Sequence, residues 1–272
     1  MDRIQQAVSR AKEKRDASTS VSEQDGVGLS KDRIAPTKGG VDVGAIPTAV
    51  CDRDAIGRNR IIANEQDPAL NAYRVLRTRT LQKMETNGWR TLAVVSAASG
   101  AGKTVTAINL AIAVGSKESS RSTLVDLDFY RPSVARYLGL DAPPSVLDFF
   151  EGYKSATDVT VKADVANMFV LPNERVSRHG AEHLTSPRMD HLIDVALNGY
   201  GSRIVIFDVS PLLGCDDAIA LLPRVDCVLL VAASGHTRSK DVAEAKRLLK
   251  GVNLLGTVLN KAPQAISTNP YY

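Results

Sequence analysis

The chain is built around short runs in which nearly every residue is apolar, alternating with stretches of helical spacing. "TLAVVS" (91–96), "STLVDL" (122–127), "MFVLP" (168–172), "RIVIFDV" (203–209), "CVLLVAA" (227–233) and "LLGTVLN" (254–260) are the strand candidates, with helical patterns over about 103–117, 132–139, 214–222 and 238–250. A strand that alternates apolar and polar residues can leave one face in water, whereas a strand apolar throughout must be covered on both. The pattern predicts an α/β fold: a doubly wound, mainly parallel sheet with helices on both faces. No internal repeat breaks it. With 272 residues and 44% hydrophobic content, the chain is long enough for one such domain plus appendages.

Charge and cysteines narrow the classes further. The net charge of +4 comes from 34 basic against 30 acidic residues and is dispersed, so no nucleic-acid partner is expected. Cys51, Cys215 and Cys227 form no CxxC spacing and read as free thiols in a reducing compartment. No stretch approaches the roughly 20 apolar residues of a membrane span, and the start "MDRIQQAVSRAKEKRD" lacks the apolar centre of a signal peptide. The expected location is cytoplasmic, with any membrane association peripheral.

Along the chain, residues 1–15 read as a short, basic, weakly amphipathic helix, with Met1, Ile4, Val8 and Ala11 at helical spacing. That helix either stays in solvent or docks to a partner or an anionic membrane. Residues 16–60, rich in Ser, Gly, Asp and Lys, read as a flexible linker. The folded domain is expected over 61–264 and a tail over 265–272. "DPALNAYRVLRTRTLQKM" opens the domain as a helix with Asp67 as N-cap and Pro68 at its first position.

The chemistry concentrates after the first apolar run, in "SAASGAGKTVTAINLA". In a parallel sheet, ligands gather at the carboxyl ends of the strands, and this stretch passes there from strand to helix. Ser99, Gly100, Ala101, Gly102, Lys103, Thr104 and Val105 form a candidate phosphate cradle of the P-loop type. Its glycines let backbone N–H groups face a triphosphate, Lys103 bridges the outer phosphates, and the Thr104 hydroxyl ligates Mg²⁺. The full pattern wants a glycine six residues before the lysine, where this chain has Ala97. A phosphate-bound Mg²⁺ also needs carboxylates at neighbouring strand ends, and Asp126, Asp128 and Asp208 each end an apolar run. A strand-terminal Asp can equally cap a helix or form a turn. His179 and His183 lie four apart, but Gly180 intervenes and no third ligand is near, so no metal site is expected there.

These motifs together resemble the bacterial tyrosine kinases, the P-loop autokinases of capsule and exopolysaccharide synthesis, within the superfamily of the partition ATPases. "TLVDLDFYRPSVARYLGL" resembles their second Walker-type motif, "YRVLRT" the helix ahead of their P-loop, "GAEHLTS" the segment before a later helix and "IVIFDVSP" their third motif, from about Asp67 to Ala262. The resemblance implies an ATP- and Mg²⁺-dependent kinase that phosphorylates tyrosines of its own C-terminal tail in trans. It implies a homo-oligomer, activated by a membrane chain-length-determinant partner that brings it to the inner membrane. Carried over, Lys103 and Thr104 hold phosphate and metal, and Asp126 orients the metal and accepts the tyrosyl proton. Asp128 and Asp208 complete the metal site, and the acceptors are Tyr271 and Tyr272. Asn260 resembles the asparagine that reads adenine in related ATPases, although a turn-forming Asn accounts for it equally. The basic start also resembles autokinases of exosortase-linked clusters.

Several departures bear on the function. Asn71 stands where the ring-forming helix usually has glutamate, Val209 and Ser210 follow Asp208 where threonine and proline are common, and the tail "NPYY" has only two tyrosines. A regulatory ATPase of the same machinery, without tyrosine phosphorylation, is the rival reading. A partition or positioning ATPase would carry a second lysine at position 98, which here is Ala98.

Overall fold

A computed structural model of the protein describes residues 41–63, 66–117 and 119–262. The expected helix at 1–15, most of the linker at 16–40 and the tail at 265–272 lie outside the described residues. Among the described residues eight strands form one sheet, and the elements follow the apolar runs closely.

Strand β1 (Thr48–Ala49) and helix α1 (Arg53–Arg58) come first, followed by α2 (Leu70–Thr86), β2 (Thr91–Ser96), α3 (Lys103–Gly115) and β3 (Ser122–Leu127). Helices α4 (Val134–Leu138) and α5 (Val146–Phe150) lead to strands β4 (Val161–Ala163) and β5 (Met168–Leu171). Then come α6 (Gly180–Thr185), α7 (Pro187–Asp194), β6 (Ile204–Val209), α8 (Asp217–Leu221), β7 (Cys227–Ala233), α9 (Ser239–Leu248) and β8 (Leu254–Asn260). The strand order is β1-β4-β5-β3-β6-β2-β7-β8, parallel throughout except where β4 meets β5.

Both faces of the sheet are covered, as continuous apolarity requires. In β2, Ala93 and Val95 feed one core, with Phe149, Leu192, Leu221 and Ala245 of the helices, while Leu92 and Val94 feed the other, with Ile56, Met84, Leu110 and Leu138. Helix α3 is buried on nearly every side, which explains its run "AINLAIAVG". Its Gly115 is required by close approach, because a Cβ there would stand 2.7 Å from the Asn167 carbonyl oxygen.

Two expectations are corrected. The segment 41–60 is not a linker: Ile46, Cys51, Ala55 and Ile56 are buried, β1 pairs with β4, and the Asp52 N–H donates to the Leu138 carbonyl at 3.1 Å. The anchors are few and irregularly spaced, so they show no period in the sequence. Asp67 does not cap α2. Its carboxylate accepts the Ala69 N–H at 2.8 Å and its carbonyl the Leu70 N–H, closing a turn from which the helix starts at Leu70.

Gly139 ends α4 in the left-handed region, at φ 64°, and a Cβ there would meet the Asp52 Cβ at 2.5 Å and the Ala55 Cβ at 2.8 Å. Gly139→Ala is expected to cost about 1–3 kcal/mol through backbone strain and displacement of α1. Urea unfolding would measure it. An unchanged midpoint would mean that the 41–60 segment does not dock against α4.

Candidate nucleotide site

Strand β2 ends at Ser96, the chain turns through Gly100 at φ 81° and Gly102 at φ 89°, and α3 begins at Lys103. Both values lie where a side chain is strained, so the two glycines are set by the turn itself. The loop stands where β2 is flanked by β6 on one side and β7 on the other, with β3 beyond β6. The register of β3 against β6 sets Asp126 directly opposite Asp208. Three elements far apart in sequence thus deliver the lysine and the carboxylates to one edge.

The polar side chains meet below a cleft of about 670 Å³ lined by Gly100, Gly102, Lys103, Thr104, Asp128, Tyr130, Arg131 and Tyr137, with Pro211 and Leu213 opposite. Lys103 is 8% exposed; its Nζ lies 2.7 Å from Asp128 Oδ2 and 3.3 Å from Asp208 Oδ1. The Thr104 hydroxyl donates to Asp208 Oδ2 at 2.6 Å, and the Ser210 hydroxyl donates to Asp128 Oδ1 at 2.9 Å. Asp126 is fully buried: its carboxylate accepts the N–H groups of Ser133 and Val134 at 2.9 Å each and that of Asp128 at 3.2 Å.

Burial sets the protonation of this cluster, and neighbouring charge modifies it. Burial pushes the Lys103 pKa down, but the Asp208 and Asp128 carboxylates outweigh it and hold the value above the ordinary lysine range. Asp126 is pushed up to about 8 by burial and then by the Asp208 charge, against the backbone N–H groups it accepts. Asp208 is also raised by burial, with Lys103 and Thr104 opposing. Burial raises Asp128 too, yet Lys103 and its hydrogen bond prevail and hold it below the usual range.

The expected site residues therefore divide. Lys103, Thr104, Asp128 and Asp208 come together; the first three line the cleft with Ser99, Gly100, Gly102 and Val105, Asp208 is fully buried beneath them, and Ala101 is buried in the loop. Asp126 does not reach the cleft; it ties the start of α4 to the end of β3. Asn260 does not line the cleft either, and its amide donates to the Ala101 carbonyl at 3.0 Å. Tyr271 and Tyr272 lie outside the described residues. No group of three or more His, Cys, Asp or Glu side chains is arranged to hold a metal by itself among the described residues. The donor set still fits a cation: the carboxylates of Asp128 and Asp208 meet at the one Lys103 ammonium, and the Thr104 hydroxyl stands beside them. His183 packs against Phe129 and Phe150, and His179 bonds Glu182.

Sequence reasoning missed Ser133, whose N–H fixes Asp126, and Lys261, which lines the cleft. It also missed Asp217. This carboxylate is 2% exposed, and a Cβ on Gly180 would stand 2.5 Å from its Oδ2. Glycine at 180 was thus the one trace that Asp217 left in the sequence.

A glycine-bearing turn between a buried strand and a buried helix, opening on Lys103 and Thr104 with carboxylates at the next strand ends, defines a nucleotide-binding P-loop α/β protein. No family profile matches the chain. It is 30% identical over 186 residues to the tyrosine-protein kinase CpsD of Streptococcus pneumoniae serotype 4, covering 67% of this chain and 79% of that one. It is 28% identical over 201 residues to the tyrosine-protein kinase wzc of Salmonella typhi, covering 73% of this chain but 28% of that one. The kinase domain of the Escherichia coli tyrosine kinase ETK superposes with a TM-score of 0.68 at 26% identity, over 76% of this chain and 81% of that one. The chain belongs to the bacterial tyrosine kinase family. It spans most of CpsD and about a quarter of wzc.

Burial, then the Asp216 and Asp128 charges, push Asp217 up to about 6. An unfolded Asp titrates at about 3.9. The folded state therefore holds more protons between these values, and the contribution of Asp217 to stability is lost as pH rises from about 4 through 6. Asp217→Asn keeps an acceptor for α6 and removes the titration. Urea stability of the variant relative to the wild type should rise between pH 4.5 and 7; a constant difference would contradict the assignment.

Proposed function

We propose that this protein is an ATP-dependent tyrosine autokinase that regulates exopolysaccharide or capsule synthesis, phosphorylating Tyr271 and Tyr272 in a neighbouring copy. The observation that carries the reading is the cluster of Lys103, Thr104, Asp128 and Asp208 at the strand ends, beneath a cleft floored by the Gly100–Gly102 turn.

The division of labour follows from the geometry. The turn and the start of α3 offer backbone N–H groups and a positive helix end to the triphosphate. Lys103 exchanges its Asp128 partner for phosphate oxygens, and Asp128 then faces the cleft as a free carboxylate. The phenol oxygen attacks the γ-phosphorus, the bond to the β–γ bridging oxygen breaks, ADP leaves, and the phenolic proton passes to Asp128. Asp128 lines the cleft and Asp126 does not, which supports Asp128 over Asp126 as the base. Mg²⁺ bound with the nucleotide would neutralise phosphate charge; Thr104 and Asp208 are the groups that would hold it, with Asp126 behind them on the adjoining strand. No helix among the described residues is long and apolar enough to cross a membrane. In this reading a chain-length-determinant partner recruits the kinase to the inner membrane, where it acts as a homo-oligomer on the cytoplasmic side.

Incubation of the full chain with Mg²⁺-ATP, with and without the cytoplasmic segment of that partner, tests the proposal by phosphosite mapping. Phosphate on Tyr271 or Tyr272 is expected, and Lys103→Ala should lower it at least 100-fold, in the range by which phosphate-clamping groups accelerate transfer. The two-tyrosine tail favours the rival reading: ATP hydrolysis with both tyrosines unmodified would make the protein a regulatory ATPase.

A further inference from the structure

The end of β8 reaches across to the phosphate loop with two consecutive side chains. Asn260 Nδ2 donates to the Ala101 carbonyl at 3.0 Å, and Lys261 Nζ donates to the Gly100 carbonyl at 2.9 Å. The Asn260 side chain and the backbone of the pair are themselves held. Asn260 Oδ1 accepts the Lys261 N–H at 2.8 Å, and the Asn260 carbonyl accepts the Ser234 N–H at 2.8 Å, tying the pair to the end of β7. Lys261 takes φ 56°, a left-handed conformation uncommon outside glycine, asparagine and aspartate. The contact is close: a Cβ on Gly102 would stand 2.1 Å from Asn260 Nδ2.

Peptide planarity turns these two bonds into an orientation. In a trans peptide, the C=O of one residue and the N–H of the next lie in one plane and point opposite ways. No described peptide is cis. With the Gly100 and Ala101 carbonyls drawn towards β8, the N–H groups of Ala101 and Gly102 point away from it. Neither N–H has a hydrogen-bond partner among the described residues, although Ala101 is 2% exposed. Two such groups side by side form an anion-binding concavity.

We infer that Asn260 and Lys261 are positioning residues for the phosphates: they clamp the Gly100 and Ala101 carbonyls and so aim the next two N–H groups at a bound polyphosphate. The inference rests on the nucleotide reading above and changes the role of Asn260. Its amide serves the loop and not the adenine, so the clamp is indifferent to the base.

Calorimetric titration of the full chain with Mg²⁺-ATP and with Mg²⁺-tripolyphosphate, which has neither base nor ribose, tests this. Asn260→Ala removes one clamp bond without changing charge, and should weaken both ligands by the same factor, about five- to tenfold. Lys261→Met should do likewise in 0.5 M salt, where charge effects are screened, and Lys261→Arg should restore most of the affinity. Weakened ATP binding with unchanged tripolyphosphate binding would overturn the clamp and return Asn260 to the base. If Lys103→Ala abolishes binding of both ligands while Asn260→Ala and Lys261→Met alter neither, the clamp also fails and the nucleotide reading stands. A wild-type chain that binds neither ligand would remove the nucleotide reading and the clamp together.

Discussion

The buried contact of the Lys103 ammonium with Asp128 and Asp208 is the interaction on which the rest of the site depends. Taking one such ion out of water costs several kcal/mol, and its partner's charge offsets this only at close range. Removing the lysine would leave carboxylates facing one another inside the sheet edge, and removing the carboxylates would strand an ammonium. The cluster is therefore a poor source of stability and a strong source of geometry. It demands that β2, β3 and β6 end together and that α3 start at one defined place.

The sheet supplies that demand through register. Asp126 sits opposite Asp208 because β3 pairs with β6 from Ser122 to Leu127, and the turn after β3 then carries Asp128 to the lysine. Asp126 commits its carboxylate oxygens to three backbone N–H groups, fixing the start of α4 and with it the wall of the cleft that bears Tyr137. Two carboxylates two residues apart thus divide the work. One is structural and sealed, and the other is presented to the cleft.

This division shows what the sequence can and cannot disclose. Strands β2, β3 and β7 were legible to the residue, because strands buried on both faces leave uninterrupted apolar runs; β8 was legible as an apolar run too, although Thr257 and Leu259 are exposed. The phosphate loop was legible because only Gly100 and Gly102 tolerate its backbone there. The chain before Asp67 was not, since Ile46, Cys51 and Ile56 are single anchors without a period, and β1 and β4 are too short to show one. Nor could spacing distinguish Asp126 from Asp128, because hydrogen bonds to Ser133 and Val134 depend on how the later turn folds back. Asn260 carried two readings because an amide at a strand end serves a loop or a ligand with the same chemistry.

The distances along the chain have a kinetic meaning. Lys103 meets Asp208 across 105 residues, and Gly100 meets Lys261 across 161. Contacts this remote close late, since each must overcome the entropy of a long loop, and folds dominated by them form slowly. On a ribosome, the loop residues would emerge well before the strand that clamps them, so the phosphate cradle would be left half-assembled until Lys261 had been made. The site then needs β8, the last strand of the sheet in chain order, before its loop is braced.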